Sequence, residues 1–491
     1  MDSRISTSQN PHPTNQPTEH PTCSGTCPSP QAQGGKVLEL GKAFVRTVRH
    51  FWPGLSQELE QLPDTRFQPF VEYDKKFLIW WGLLLFCFKL GSRRQLDYDL
   101  RDLDSGVLSN ANRLAQTQQT TLPVHKTLSH FLGHVGSTAI AALRTGMMRR
   151  LIRMKALDEC RLLSRFVLAV DGTGYLVFGY PHCACCLKQR HGEQTVYFHP
   201  VLEAKLVDSK GMALSMGSEF IENLPDGTDL TSYESVKQDC ELKAFQRLVP
   251  QLKTDFPQTP FCIAGDSLFA CGPIMQTCEK YGWSYVLTFK PGRTPSLWDD
   301  FQGLLQLDPQ NLLSNKLADG TLQRLRWVNR LQHLDSEGRS YTLGAIECVE
   351  THPDGKSQTF AWVTSFPITQ ENVQVIAEKG GRSRHKIENQ GFNIQKNSGL
   401  NLEHAYSFDE DQLKSFYYLL QMAHIILQML EKGSLLHQVS ADGKTRSVIL
   451  LFGSLKNLAR RLLEAFRYYL IPEEAFDTSL AATIRIRLEA G

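Results

Sequence analysis

Three textures of apolar and polar residues divide this chain. Between residues 36 and 162, apolar residues recur at helical spacing around 44–52, 77–90 and 128–157, which predicts an all-α N-terminal region. Polar loops interrupt it at Gly91-Ser92-Arg93-Arg94 and from Gln116 to Pro123. The run 77–88 (FLIWWGLLLFCF) is apolar on every side; it predicts a buried core helix and is too short to span a bilayer.

At Phe166 the texture changes. Residues 166–170 (FVLAV) form an unbroken apolar run, predicting a buried strand that ends at Asp171-Gly172-Thr173-Gly174. Strands come next at 197–207 and 213–220, then a helix at 235–248, a buried strand at 261–264 that ends in Asp266, a helix at 271–281 and a strand at 283–289. This order predicts an α/β domain. Residues 293–367 alternate in short stretches (321–328, 341–349, 359–364) between polar loops, which reads as a β-rich insertion. A basic helix at 382–396 comes next, then a strongly apolar helix at 411–430 and a polar-faced one at 449–470 with Arg460 and Arg461. The divisions are a disordered tail at 1–35, helices at 36–162, an α/β core at 163–292, the insertion at 293–380, the rest of the core at 381–435 and a helical end at 436–491.

Composition changes this picture in three places. Pro, Ser, Thr, Gln and Gly dominate the first 35 residues, so they are expected to be disordered. No apolar signal core opens the chain, and several of the 12 cysteines (Cys87, Cys262, Cys348) sit inside apolar runs, so a reduced, cytosolic compartment is expected. The net charge of +2 hides a cluster: 144–165 holds seven Arg/Lys against Asp158 and Glu159. Within it, RTGMMRRLIRMK (144–155) is either an amphipathic helix with a solvated basic face or a contact to a DNA backbone.

The candidate chemistry lies at two strand ends and one helix. Asp171 and Asp266 each close an apolar strand, and Glu388 lies in the basic stretch Arg382–Lys396 (RSRHKIENQGFNIQK). Arg384 and Glu388 are four apart and share a helical face. Taken singly, Asp171-Gly172 reads as a hairpin turn, Asp266 as a local cap and Glu388 with Arg384 as a surface ion pair. Together, carboxylates from distant segments suit hard divalent cations and two-metal phosphodiester chemistry. Glu203, Glu219, Glu222 and Asp239 also fall in the core; one of them is a candidate fourth acid near the metals, and the commoner reading is capping or ion pairing.

Val-Asp-Gly-Thr (170–173), Ala-Gly-Asp-Ser (264–267) and Arg-His-Lys-Ile-Glu-Asn (384–389), in this order of elements, make residues 75–430 resemble insertion-sequence transposases of the DDE type. In that family the first strand of a ribonuclease-H-like core carries the first Asp, the fourth strand the second, and a late helix the Glu, with a β-rich insertion between the second Asp and the Glu. A subgroup has a Tyr, Arg, Glu, Lys signature around the last acid. Arg384 and Glu388 fit its spacing, whereas Gly381 stands at the Tyr position and Lys396 falls one residue late, behind Gln395.

The resemblance implies a mixed sheet flanked by helices. It also implies two magnesium ions (manganese able to substitute) held by Asp171, Asp266 and Glu388. Arg384 and Lys396 would contact phosphate, with Arg382, Lys386 and Lys290 as further candidates. The partners would be double-stranded DNA at element ends and target, and a second copy of the chain in the DNA complex, in a prokaryotic cytoplasm at the nucleoid. The activity would be end cleavage and then 3′-hydroxyl strand transfer. The rivals are a non-transposing metal-dependent nuclease of the same fold and a catalytically inactive DNA-binding relic. Trp283 reads as a core residue or as an aromatic that stacks on an extruded base.

One motif stands apart. In His182-Cys183-Ala184-Cys185-Cys186, Cys183 and Cys186 have the spacing of a zinc half-site, and His182, Cys185, His191 or His199 are available to complete it. The other reading is reduced cysteines in a tight loop.

Overall fold

The computed structural model describes residues 30–491 except 102–105, 184, 193, 224–238, 336, 437, 440–444, 447–450, 480–485, 487 and 489–491. The expected tail therefore lies outside the described residues up to 29. Its last residues do not: helix α1 (Pro30–Phe51) begins inside it. Leu40, Phe44, Val48 and Phe51 recur at helical spacing and are fully buried, so the helix is held by packing.

Among the described residues, six more α-helices precede the first strand: α2 (Leu55–Glu60), α3 (Lys75–Cys87), α4 (Arg93–Leu100), α5 (Val107–Ala115), α6 (His125–Val135) and α7 (Ser137–Arg153). Asp74 caps α3 by accepting from the Lys76 amide at 2.7 Å. Every residue of α3 from Phe77 on is buried, as its unbroken apolar run predicts. No described helix is long and apolar enough to cross a membrane.

The strands are β1 (Arg161–Leu162), β2 (Arg165–Phe178), β3 (Leu187–His191), β4 (Gln194–Val207) and β5 (Ala213–Phe220), then β6 (Phe261–Gly265) after α8 (Glu241–Asp255). After α9 (Gly272–Tyr281) come β7 (Ser284–Thr288), α10 (Pro295–Leu307), β8 (Leu312–Lys316), β9 (Leu322–Leu334), β10 (Ser340–Thr351) and β11 (Ser357–Thr364). A continuous helical segment, α11 (373–397), precedes α12 (Glu410–Lys432) and α13 (Leu455–Tyr468).

All eleven of these strands join one mixed sheet, flanked by helices, in the order β3-β4-β2-β6-β7-β11-β10-β9-β8, with β1 on β2 and β5 on β4. β2, β6 and β7 run parallel and the other pairs antiparallel. The β-rich segment is not a separate layer. β11 pairs with β7 (Trp362 opposite Thr288), so it extends the edge of the central sheet.

Two local expectations are corrected. β2 does not end at Asp171; it continues to Phe178, because β4 pairs with it from Leu168 to Phe178 and long-range pairing overrides the turn-like Asp-Gly-Thr-Gly. The helix expected at 235–248 is α8, which starts at Glu241; residues 235–238 lie outside the described residues.

Alternation along the strands sorts side chains onto two faces. Phe166, Leu168, Val170, Phe261 and Ile263 join the large core shared with α3, α8 and α12. Val167, Ala169, Cys262 and Ala264 join a second core, where Ile376, Ile387 and Phe392 of α11 cover the opposite face. α12 is buried nearly all round between the N-terminal helices and the sheet.

Candidate active site

The parallel register of β2 and β6 sets Ala169 beside Ala264. Asp171 stands two residues further along β2, and Asp266 two residues beyond Ala264, directly after the end of β6. Period-two alternation along β2 gives Asp171 the parity of Ala169, toward the face that α11 covers. The Asp266 carboxylate also accepts from the Leu268 amide at 2.8 Å, holding the turn after β6.

α11 supplies Glu388 and a bridge. Arg384 lies 2.6 Å from Glu388 through Nη1 and 3.3 Å from Asp171 through Nη2. Its Nε is buried without a hydrogen-bond partner. The hairpin reading of Asp171 gives way, because β2 runs on through it, while Glu388 does form the exposed i,i+4 pair with Arg384, whose guanidinium also reaches Asp171. α11 is not regular: Ile376–Gly381 and Ile387–Asn393 are π-helical, and Glu388 sits in the second π segment. A π turn holds about one residue more than an α turn and recurs at functional sites.

A fourth acid escaped the sequence reading. Glu241 opens α8, and a Cβ on Gly172 would collide with its Oε1, so glycine beside Asp171 is what admits it. Burial raises the Glu241 pKa, and the Asp266 charge raises it further. Burial also pushes Asp171 up to about 7; Arg384 opposes this, while Glu388, Glu241 and Asp266 add to it. The other core acids are engaged in ion pairs elsewhere. Glu203 pairs with Lys205, Glu222 with Lys414, and Glu219 and Asp239 both with Arg247.

Of the predicted cations, Arg384, Arg382 and Lys290 line one cleft of about 220 Å³ with Phe360, Trp362 and His385. Arg382 also pairs with Glu350 at 3.3 Å and lies over the Phe360 ring. Lys386 lines a different cavity, with Lys210 and Lys432, and Lys396 pairs with Glu403 at 2.8 Å. Gln395, where the family signature places Lys, is buried against Gln421 and His424. Trp283 is 5% exposed and packs edge-on against Phe261, so it is a core residue and not a platform for a base. In the basic stretch on α7, Arg144 is buried and donates to Ser215 and Ser218, whereas Arg149, Arg150 and Arg153 remain exposed.

Gly381, at the family's Tyr position, has a packing reason. A Cβ there would collide with the Trp362 ring at Cε2. Gly381→Ala should therefore cost about 1–3 kcal/mol of stability through overpacking. Urea denaturation checks it; an unchanged midpoint would mean that Trp362 yields freely.

Cys183 and Cys186 are drawn together with His182 and His199, their donor atoms all within 4.8 Å of one another. The Cys185 thiol points instead to Glu410, at 3.9 Å, and the side chain of His191 lies outside the described residues. Among the described residues, Asp171, Asp266 and Glu388 do not close to such a set of three. No protein-family model matches the chain, and no curated protein matches it.

Proposed function

We propose that this chain is a DNA transposase of the DDE type, cleaving phosphodiester bonds at mobile-element ends and joining the freed 3′-hydroxyl to target DNA. The observation that carries this reading is the placement of Asp171 within β2 and Asp266 just after the parallel strand β6, each two residues beyond the paired Ala169 and Ala264, with Arg384 bridging Asp171 to Glu388 on the covering helix. Among β2, β4, β5, β6 and β7, the first carries Asp171 and the fourth is directly followed by Asp266. The spatial order β5-β4-β2-β6-β7 supports a ribonuclease-H-like core.

The donor set fits magnesium: Asp171, Asp266 and Glu388 offer only carboxylate oxygens, which hard divalent cations prefer. Burial and neighbouring acids work against the charge on Asp171, a cost that a cation offsets. When bound there, magnesium supplies Lewis-acid polarisation of a phosphodiester oxygen and a more acidic water. The chain's own residues do the rest. Arg384, Arg382 and Lys290 line the same cleft, where their charges hold the strand. Phe360 and Trp362 line that cleft. Exposed Arg150 and Arg153 extend a surface for backbone phosphates, while Arg149 is held by Asp255. A homodimer on paired DNA ends and a prokaryotic, nucleoid-bound location go with this reading.

The test is cleavage of DNA carrying the element's own ends, with magnesium, by the intact chain. A second reading, a DNA-binding relic, is favoured by one fact: the Arg384 guanidinium already neutralises Asp171 and Glu388. Binding of those ends with no cleavage would select it.

The raised pKa of Asp171 gives a pH prediction. Its folded value, about 7, exceeds the ordinary 3.8, so the folded state holds a proton that the unfolded state has lost across that window. Stability then falls as pH rises through it. Magnesium should restore that loss, so the rise in Tm on adding magnesium should grow between about pH 6 and pH 8. Asp171→Asn should remove the growth. A magnesium effect independent of pH in the intact protein would detach Asp171 from metal binding.

A further inference from the structure

We propose that His182, Cys183, Cys186 and His199 bind one structural zinc ion, which ties the loop after β2 to strand β4. The argument rests on donor geometry. A tetrahedral zinc with bonds of about 2.3 Å to sulfur and about 2.0–2.1 Å to nitrogen requires S···S edges of about 3.8 Å and S···N edges of about 3.6 Å. The two thiols lie 3.7 Å apart, and His199 Nε2 lies 3.5 Å from Cys183 Sγ and 3.1 Å from Cys186 Sγ. The rings of His182 and His199 are 5.7 Å apart and nearly perpendicular, so His182 closes the fourth side. A sulfur separation of 3.7 Å is no disulfide, and both cysteines are free thiols.

The surroundings are built to hold these donors. The Cys183 amide points to Cys186 Sγ at 3.4 Å, and the Cys186 amide closes a turn onto the Cys183 carbonyl. Asn223 clamps the same loop, its side chain donating to the Cys186 carbonyl at 2.9 Å and its amide to the Cys185 carbonyl at 3.1 Å. Phe178 stacks on His182 at 4.6 Å, with ring planes 7° apart, fixing the imidazole. Nδ1 of His182 is buried without a hydrogen-bond partner, a state that ligation there would explain. Two thiolates and two neutral imidazoles balance the charge of a zinc ion. Four protein donors leave no open position, which marks the site as structural.

The site has a mechanical consequence. His199 pairs with Leu176 on β2, further along the strand that carries Asp171. Below it, β3 and the start of β4 form a hairpin whose Lys188, Gln189 and Arg190 are exposed. Zinc would fix the base of that hairpin through two strands and a loop.

The test is metal analysis of the full chain purified under reducing conditions, with about one zinc per chain expected. Replacement by cobalt(II) should give the visible bands of a tetrahedral ion with thiolate-to-cobalt charge transfer. Cys183→Ser and Cys186→Ser should each lower zinc at least about tenfold. Zinc retained by both variants would overturn the proposal, as would a Cys183–Cys186 disulfide recovered from reduced cells. If the variants fail to fold, the cobalt spectrum of the intact chain decides: octahedral cobalt without charge transfer, or no uptake, sinks the site.

Discussion

Glu388→Gln should abolish magnesium-dependent cutting at the element's ends, lowering the rate about a thousandfold or more, or about 4 kcal/mol of lost transition-state stabilisation. Glutamine keeps the length of the side chain but not its charge. The 2.6 Å contact to Arg384 would lose its ionic character, leaving Asp171 as the only acid on that guanidinium. DNA binding should change little, because one carboxylate among many charges barely alters the number of phosphates neutralised. Arg384→Ala should differ in kind: it removes a phosphate donor and leaves Asp171 and Glu388 uncompensated, so binding and cutting fall together. Cutting by Glu388→Gln at the intact rate would remove Glu388 from the site. No cutting by either protein, with binding intact, would leave the DNA-binding relic.

These outcomes bear on residues that differ in how openly the sequence displays them. Asp171 and Asp266 are legible because each closes an apolar run that can only be a buried strand. The register that sets Ala169 beside Ala264, two residues before each Asp, is a property of β2 and β6 pairing and appears in neither segment alone. Glu241 had no local signal. It starts α8 after a long polar stretch, and only the packing of α8 beside Gly172 brings it to Asp171. The continuation of β2 past Asp171 was hidden for the opposite reason: Asp-Gly-Thr-Gly carries strong turn chemistry, and pairing with β4 overrides it. The π segments of α11 are equally silent in sequence, so α-helical counting misplaces the side chains beyond Glu388, Gln395 and Lys396 among them. The Cys-x-x-Cys pair was visible, but His199 joins it only because the β3–β4 hairpin folds back.

Lys205→Met tests how the fold holds Glu388 in place. Lys205 and Glu203 are both fully buried, 3.0 Å apart. Lys205 donates to Gln421 at 2.8 Å, and Glu203 accepts from Tyr417 at 2.6 Å and from Ser218. Burial lowers the Lys205 pKa and Glu203 opposes that, so the ammonium depends on its partner. Removing the lysine alone strands a buried carboxylate and should cost about 3–5 kcal/mol of stability. Glu203→Gln combined with Lys205→Met removes both charges and should cost much less, because a buried pair replaced as a unit is often nearly neutral. The difference, read from urea denaturation of the two singles and the double, is the coupling between the partners. The site should feel the single change as well. Lys205 pairs with Ala169 two residues before Asp171, and its stem lies about 3.1 Å from where a Cβ on Gly391 would stand, in the π segment that carries Glu388. Cutting by Lys205→Met should therefore fall even where the protein remains folded, and recover in the double variant. A single change that costs under about 1 kcal/mol would mean that water reaches Glu203, and that this pair does not brace the active-site helix.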